Sequence, residues 1–338
     1  NSGIVHGGFH YPLTTLKGRL EILGNLMFEK LHYELGFPYR RCGIIVAAFS
    51  EEEVAEVRRL YRQGVENRVP RIELCSAERM LELEPKLAPD VAGGLYAPGG
   101  GVVEPYRYVF SLLELAKRNG VEFLPNCKLE NASFANGAWT LQAHDGRRIR
   151  AKYAVNAAGL HADDVSRIFG AEEFRISARK GEEYLLDRTS AAYPSKVVFP
   201  VPVKHSKGVL VIPTVDGTTM VGPTAEIVGD KEDHSTTAEN RSAVFRQARR
   251  MVPAVSERDL ITGFSGSRPV MEGNDFYIAF SKKAENLIQA AGIQSPGLTA
   301  SPAIAGYICG LLRENGVRLE EKAQFASMLE PSVQIRRQ

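Results

Sequence analysis

Two glycine-bearing stretches and one arginine carry most of the chemistry legible in this chain. The first is Asn1 to Tyr11, NSGIVHGGFHY, whose three glycines admit close backbone approach to a ligand. His6 and His10 sit among these small residues. Histidine titrates near neutral pH and can take a proton there, although for either one alone a packed or solvated role outweighs catalysis. The second stretch is Asn286 to Leu312. Leu287-Ile288 reads as a buried strand, a turn with Gly292 and Ser295-Pro296-Gly297-Leu298-Thr299 follows, and Ser301-Pro302 is expected to open a helix. A strand feeding a helix start through glycines gathers free N–H groups and partial positive charge. That suits a phosphate or an electron-rich ring. Arg268 lies in Ser265-Gly266-Ser267-Arg268-Pro269, expected to be a loop after a strand over Leu260 to Phe264. A guanidinium fork grips phosphate or carboxylate at two points; otherwise such a residue is a solvated charge or a structural ion pair. Lys207, in His205-Ser206-Lys207-Gly208, reads by itself as a surface charge, and Ser295 either bonds a ligand or shapes its turn.

These residues need elements to hold them. Leu13 to Leu35 is expected to be an amphipathic helix with Leu16, Leu20, Leu23, Met27 and Leu31 as its core-facing stripe, stopped by Gly36-Phe37-Pro38. Cys42 to Phe49 reads as a strand, Glu51 to Gln63 as a charged helix, and Glu73 to Leu83 as a short helix capped by Ser76. Gly93 to Gly101 is expected to be a turn-rich crossover. It is no phosphate loop, because no Lys-Ser or Lys-Thr follows it. A helix is expected over Tyr106 to Asn119, then a meander over Val121 to Gly146 with turns at Asn136-Gly137 and Asp145-Gly146. Arg150 to Gly159 reads as a strand whose small terminal residues let the chain touch a dinucleotide; a helix over His161 to Phe169 follows. From Phe174 the pattern alternates. Strands are expected over Ala178 to Leu186, Val197 to Pro202, Gly208 to Pro213 and Thr218 to Pro223, a charged loop over Glu226 to Asn240, and a helix over Arg241 to Met251.

A chain of 338 residues exceeds what one core usually holds, so two domains are expected. At 44% hydrophobic and 24% charged it has the composition of a soluble globular protein. A net charge of +2 gives no reason to expect nucleic acid. Cys42, Cys75, Cys127 and Cys309 are scattered without metal-ligand spacing; they read as reduced thiols of a cytoplasmic protein, and no metal is expected. No apolar run is long enough to span a bilayer, and no signal peptide is evident. The chain begins Asn1-Ser2-Gly3, and no G-x-G-x-x-G follows any strand, so the native protein is expected to have residues before these.

As an ordered set, NSGIVHGGF, VNAAG (Val155 to Gly159), GPTA (Gly222 to Ala225) and SPGLTASPAIA resemble the FAD-dependent oxidoreductases of the D-amino-acid oxidase and glycerol-3-phosphate dehydrogenase type. Shorter likenesses are E-P-x-L at Glu84, K-G-(E/Q)-Y after Arg179, (G/S)-x-R-P at Arg268 and D-F-x-I at Asp275. The resemblance spans Asn1 to about Leu312. It implies an α/β fold. An FAD-binding Rossmann-like domain without its N-terminal βαβ start would comprise residues 1–36, 98–172 and 266–330. An interleaved antiparallel-sheet substrate domain would comprise 37–97 and 173–265, with 331–338 a tail. The resemblance also implies FAD held by Ser2, Gly3, Ile4, Leu129, Asn156, Ala157, Ala158, Gly159, Gly292, Gly297, Leu298 and Thr299. His6 would face the substrate hydroxyl and Arg268 the substrate anion. Lys207 would stand near the flavin, with His205 as its alternative, and Ser295 would bond substrate or flavin. The implied reaction is oxidation of glycerol 3-phosphate by hydride transfer to flavin. L-2-hydroxyglutarate or an amine ranks behind as substrate, and a cofactor-free folded fragment is the non-enzyme reading. The electron acceptor is not legible, and a peripheral membrane contact or a partner subunit stays open.

Overall fold

The computed structural model describes residues 1–202 and 208–329, a mixed α/β fold. In chain order the elements are β1 (Ile4–Val5), α1 (Leu16–Leu35), β2 (Tyr39–Arg40), β3 (Ile44–Ala48), α2 (Glu51–Glu66), β4 (Glu73–Ser76), α3 (Ala77–Leu83), β5 (Gly93–Ala97), β6 (Gly101–Val103) and α4 (Pro105–Arg118). There follow β7 (Leu129–Ala135), β8 (Ala138–Ala143), β9 (Arg148–Ala151), β10 (Ala154–Asn156), α5 (Ala162–Ile168), β11 (Ile176–Leu186), β12 (Val197–Pro200), β13 (Leu210–Pro213) and β14 (Thr219–Gly222). The last are β15 (Glu226–Val228), α6 (Ala238–Met251), β16 (Leu260–Met271), β17 (Tyr277–Phe280), β18 (Leu287–Ala291) and α7 (Gly297–Glu314).

α1 starts at Leu16 rather than Leu13 because its donors are met there. The Thr15 side chain accepts from the Gly18 N–H, and the Asp275 carboxylate accepts from the Leu16 and Lys17 N–H groups at 2.8 and 2.9 Å. Gly36, at φ 69°, ends the helix in the left-handed conformation. The expected stripe is rotated. Leu20 is buried, but Leu23 and Met27 are exposed, and the inner face is Lys17, Leu20, Glu21, Gly24 and Phe28. The contact that turns the helix is Gly24, where any Cβ would collide with the Thr299 carbonyl of α7. Two backbones pack closely there, and α1 must present its smallest residue to them.

The large sheet has nine strands, in the order β15-β11-β14-β13-β12-β3-β5-β4, with β16 on the other edge of β11. β3 is buried throughout and alternates across the sheet. Ile45 and Ala47 join a core that includes Val244, Phe245, Ala248 and Met251 of α6. Ile44, Val46 and Ala48 join the opposite core with Phe9, Val57 and Leu60. Gly93 to Ala97 is strand, not crossover turn: β5 pairs with both β3 and β4. Gly94 leaves the space that the Met80 side chain fills. Glu73 to Ser76 is likewise strand, with Ser76 capping α3 as expected. Glu226 to Val228 forms edge strand β15 on β11 instead of loop.

A three-stranded sheet, β10-β18-β17, carries the site's other side. β10 runs parallel to β18, and β17 is antiparallel to it. The segment expected as one strand, Arg150 to Gly159, divides. Its first part ends β9 of the β7-β8-β9 meander, and its second forms β10. No strand forms over 121–128. No helix among the described residues is long and apolar enough to cross a membrane.

Candidate active site

β11 and β16, the β1 segment and the start of α7 enclose a cleft of about 640 Å³. Its lining includes His6, Arg179, Glu183, Arg268, Ser295 and Leu298.

The segment that carries His6 is held from below. Asn25 donates to the carbonyls of His6 and Gly99 at 2.7 and 2.9 Å, Asn67 donates to those of Gly8 and Tyr11, and Glu21 accepts from the Gly8 N–H. His6 is buried. Its N–H donates to the Thr299 hydroxyl at 2.9 Å, and its Nε2 lies 3.1 Å from Ser295 Oγ. The Thr299 hydroxyl itself donates to the Ile4 carbonyl. The two ends of the chain are therefore stitched together at the site. Although no metal was expected, the fold brings His6, His10 and Glu21 together, with candidate donor atoms within 4.8 Å of one another.

α7 begins at Gly297, earlier than the expected Ser301-Pro302 start. Pro302 lies inside the helix and has no N–H for the Leu298 carbonyl. The Ser301 hydroxyl replaces that donor at 2.8 Å, so the helix runs on through the proline. No side chain caps the start of α7, and Gly297 and Leu298 belong to the cleft wall. First-turn N–H groups without intrahelical partners thus stand at the cleft.

Arg268 is on a strand, not in a loop. β16 runs unbroken to Met271 and pairs along the whole of β11. Its guanidinium donates to the Thr224 carbonyl in two long bonds of 3.4 Å. Burial pulls its pKa below the ordinary arginine value, with Glu183 opposing. An arginine stays charged regardless. Among the described residues, no carboxylate lies within 4 Å of it. Tyr11 also lines the cleft, and its phenol is pushed well above the ordinary tyrosine range, chiefly by burial.

Of the other expected site residues, Ser2 and Ile4 line the cleft, and the Ser2 hydroxyl donates to Glu183. Gly3 adjoins them at φ 65°, packed against the Val103 carbonyl. Gly292 makes the turn after β18 at φ 67°. Asn156, Ala157, Ala158 and Gly159 lie at the carboxyl end of β10, beside β18, and outside the cleft lining. The Asn156 amide is buried and donates to the Ala162 carbonyl and to Gln289. Leu129 packs in the cluster around Trp139, also outside the lining. Lys207 and His205 lie outside the described residues. Sequence reasoning missed Arg179, Glu183 and Tyr11. The period-two signal was available for the first two: Arg179, Gly181 and Glu183 face the cleft, while Lys180 and Glu182 bond Asp233 and Tyr184 on the other side.

Residues 1–311 match the family model of the FAD dependent oxidoreductases, DAO. The chain belongs to this family. It is 38% identical to the glycerol 3-phosphate dehydrogenase of Caloramator mitchellensis, covering 96% of this chain and 68% of that one. It is 30% identical to the glycerol 3-phosphate oxidase of Mycoplasma pneumoniae, covering 92% and 83%. The dithionite-reduced L-alpha-glycerophosphate oxidase of Mycoplasma pneumoniae with FAD bound superposes with a TM-score of 0.91 at 28% identity, covering 97% of this chain and 87% of that one. The chain is thus an FAD-dependent oxidoreductase that acts on a small-molecule substrate, and its cofactor is FAD. The uncapped start of α7 at the cleft fits a ring that gains negative charge on reduction.

Proposed function

We propose that this oxidoreductase oxidises the secondary alcohol of glycerol 3-phosphate to the ketone of dihydroxyacetone phosphate. The observation that carries the reading is the convergence of His6, Ser295 and Arg268 on one cleft at the start of α7. When bound, FAD supplies the two-electron sink for the hydrogen of the alcohol carbon. Ser2, Gly3, Ile4, Gly292, Gly297, Leu298 and Thr299 would hold its ring end, and the residues at the end of β10 its remainder. His6 takes the hydroxyl proton at Nε2, whose single in-plane site is held by Ser295 Oγ, 3.1 Å away, until the substrate hydroxyl takes that place. Arg268 holds the phosphate end of the substrate and so fixes which carbon faces the ring. The first-turn N–H groups of α7 stabilise negative charge by roughly 0.3–2 kcal/mol.

Anaerobic titration of the flavin-loaded protein tests this. Glycerol 3-phosphate is expected to bleach the oxidised-flavin absorbance, and L-2-hydroxyglutarate and glycine to leave it. Bleaching by either of the latter, with none by glycerol 3-phosphate, overturns the assignment.

A further inference from the structure

We propose that Arg179 is the second arm of a two-arginine clamp for a doubly charged anion, and that it determines selection for phosphate monoesters over single carboxylates. The proposal rests on the reading above and deepens it. Arg179 of β11 and Arg268 of β16 are register partners, directly opposite across the antiparallel pair, and both line the cleft. Like charges in that relation repel and destabilise a sheet, so an anion held between them offsets that cost. Carboxylates do not fill that place. Among the described residues, none lies within 4 Å of either guanidinium, and the nearby Glu183 already accepts from the Ser2 hydroxyl.

The next partners on the same face, Gly181 and Gly266, two positions along the register, leave the floor bare beside the two arginines. A Cβ on Gly181 would stand 2.6 Å from an Nη atom of Arg268, so that guanidinium lies across the bare backbone. A phosphate monoester carries about −1.5 to −2 charge near neutral pH and offers three acceptor oxygens. That is enough to engage two forks at once. A single carboxylate satisfies one fork and leaves the other unneutralised.

The test is steady-state kinetics on flavin-loaded wild type, Arg179→Gln and Arg179→Lys, with inorganic phosphate as competing probe. For Arg179→Gln, KM for glycerol 3-phosphate and Ki for phosphate are expected to rise together, by roughly 10- to 100-fold, with kcat nearly unchanged. Arg179→Lys keeps the charge and loses the fork, so it is expected to fall between; it also gives the reading if the glutamine variant does not fold. Unchanged KM and Ki in a folded, flavin-loaded variant overturn the clamp. Phosphate binding followed by the flavin difference spectrum reads the clamp without turnover. Wild type that binds phosphate through Arg179 yet fails to oxidise glycerol 3-phosphate would sink the substrate assignment and leave the clamp standing.

Discussion

His6 combines burial, a hydroxyl partner at Nε2 and a fixed backbone, and each property has a separate cause. Burial comes from the glycine-rich segment packed over Phe199, the partner is Ser295, and the backbone is pinned by Thr299 and Asn25. His6→Ala should lower kcat by roughly 100- to 10,000-fold while flavin content, read by absorbance, is kept. Undiminished turnover would remove His6 from the chemistry. Lys17 is a second residue with a readable signature. It is buried beside the Tyr11 ring, 4.7 Å from its centroid, and desolvation lowers its pKa to about 8. Below that pH both folded and unfolded chains are protonated, and the buried charge costs stability in full. Between about pH 8 and the free lysine value of about 10.4, the unfolded chain binds the extra proton, so stability rises with pH. Denaturant unfolding at pH 7 and pH 9.5 should show that rise in the wild type and not in Lys17→Met. Parallel pH profiles would contradict it.

At the scale of elements, β3 is legible from its unbroken apolar run, and α2 and α4 from charged and apolar residues at helical spacing. The misreadings cluster where glycine or proline serves packing. Gly-Ser-Arg-Pro composition reads as loop, yet on β16 the small residues are the floor under Arg268, and only strand register reveals Arg179 opposite. Composition puts the start of α7 at Ser301-Pro302 because a proline commonly opens a helix; the Ser301 side-chain bond that lets this one sit inside is not visible in composition. The α1 stripe was misplaced for a related reason, since Leu23 and Met27 carry the right spacing but Gly24 decides which face meets α7. Gly24→Ala should therefore destabilise the fold by about 1–3 kcal/mol, the cost of overpacking, although alanine is the better helix former. A higher melting temperature for that variant would show that the two helices do not press together as described.

In the molecule as a whole, residues far apart in sequence hold the site's parts in one frame. Asp275 is an example: its carboxylate accepts from the N–H groups of Leu16, Lys17 and Phe276, joining the first helix to the small sheet. Asp275→Ala should cost roughly 0.5–2 kcal/mol, seen as a lower urea midpoint with an unchanged slope; an unaltered midpoint would make the junction idle. This tie was not legible in the chain, because it depends on how separate elements meet; that the first residues, the Arg268 segment and the start of α7 belong to one site was read only from the resemblance. Thr299 makes the most consequential join, taking the His6 N–H and donating to the Ile4 carbonyl. The proton acceptor and the helix start that answers the cofactor are thereby cast as one unit, and neither can drift without the other. On the facing sheet it is Glu183 that takes the Ser2 hydroxyl, while Arg268 bonds the Thr224 carbonyl and pairs with Arg179 across the strands. A lineage can thus acquire a taste for a new fuel by editing two cross-strand positions, while the electron-handling half is inherited intact.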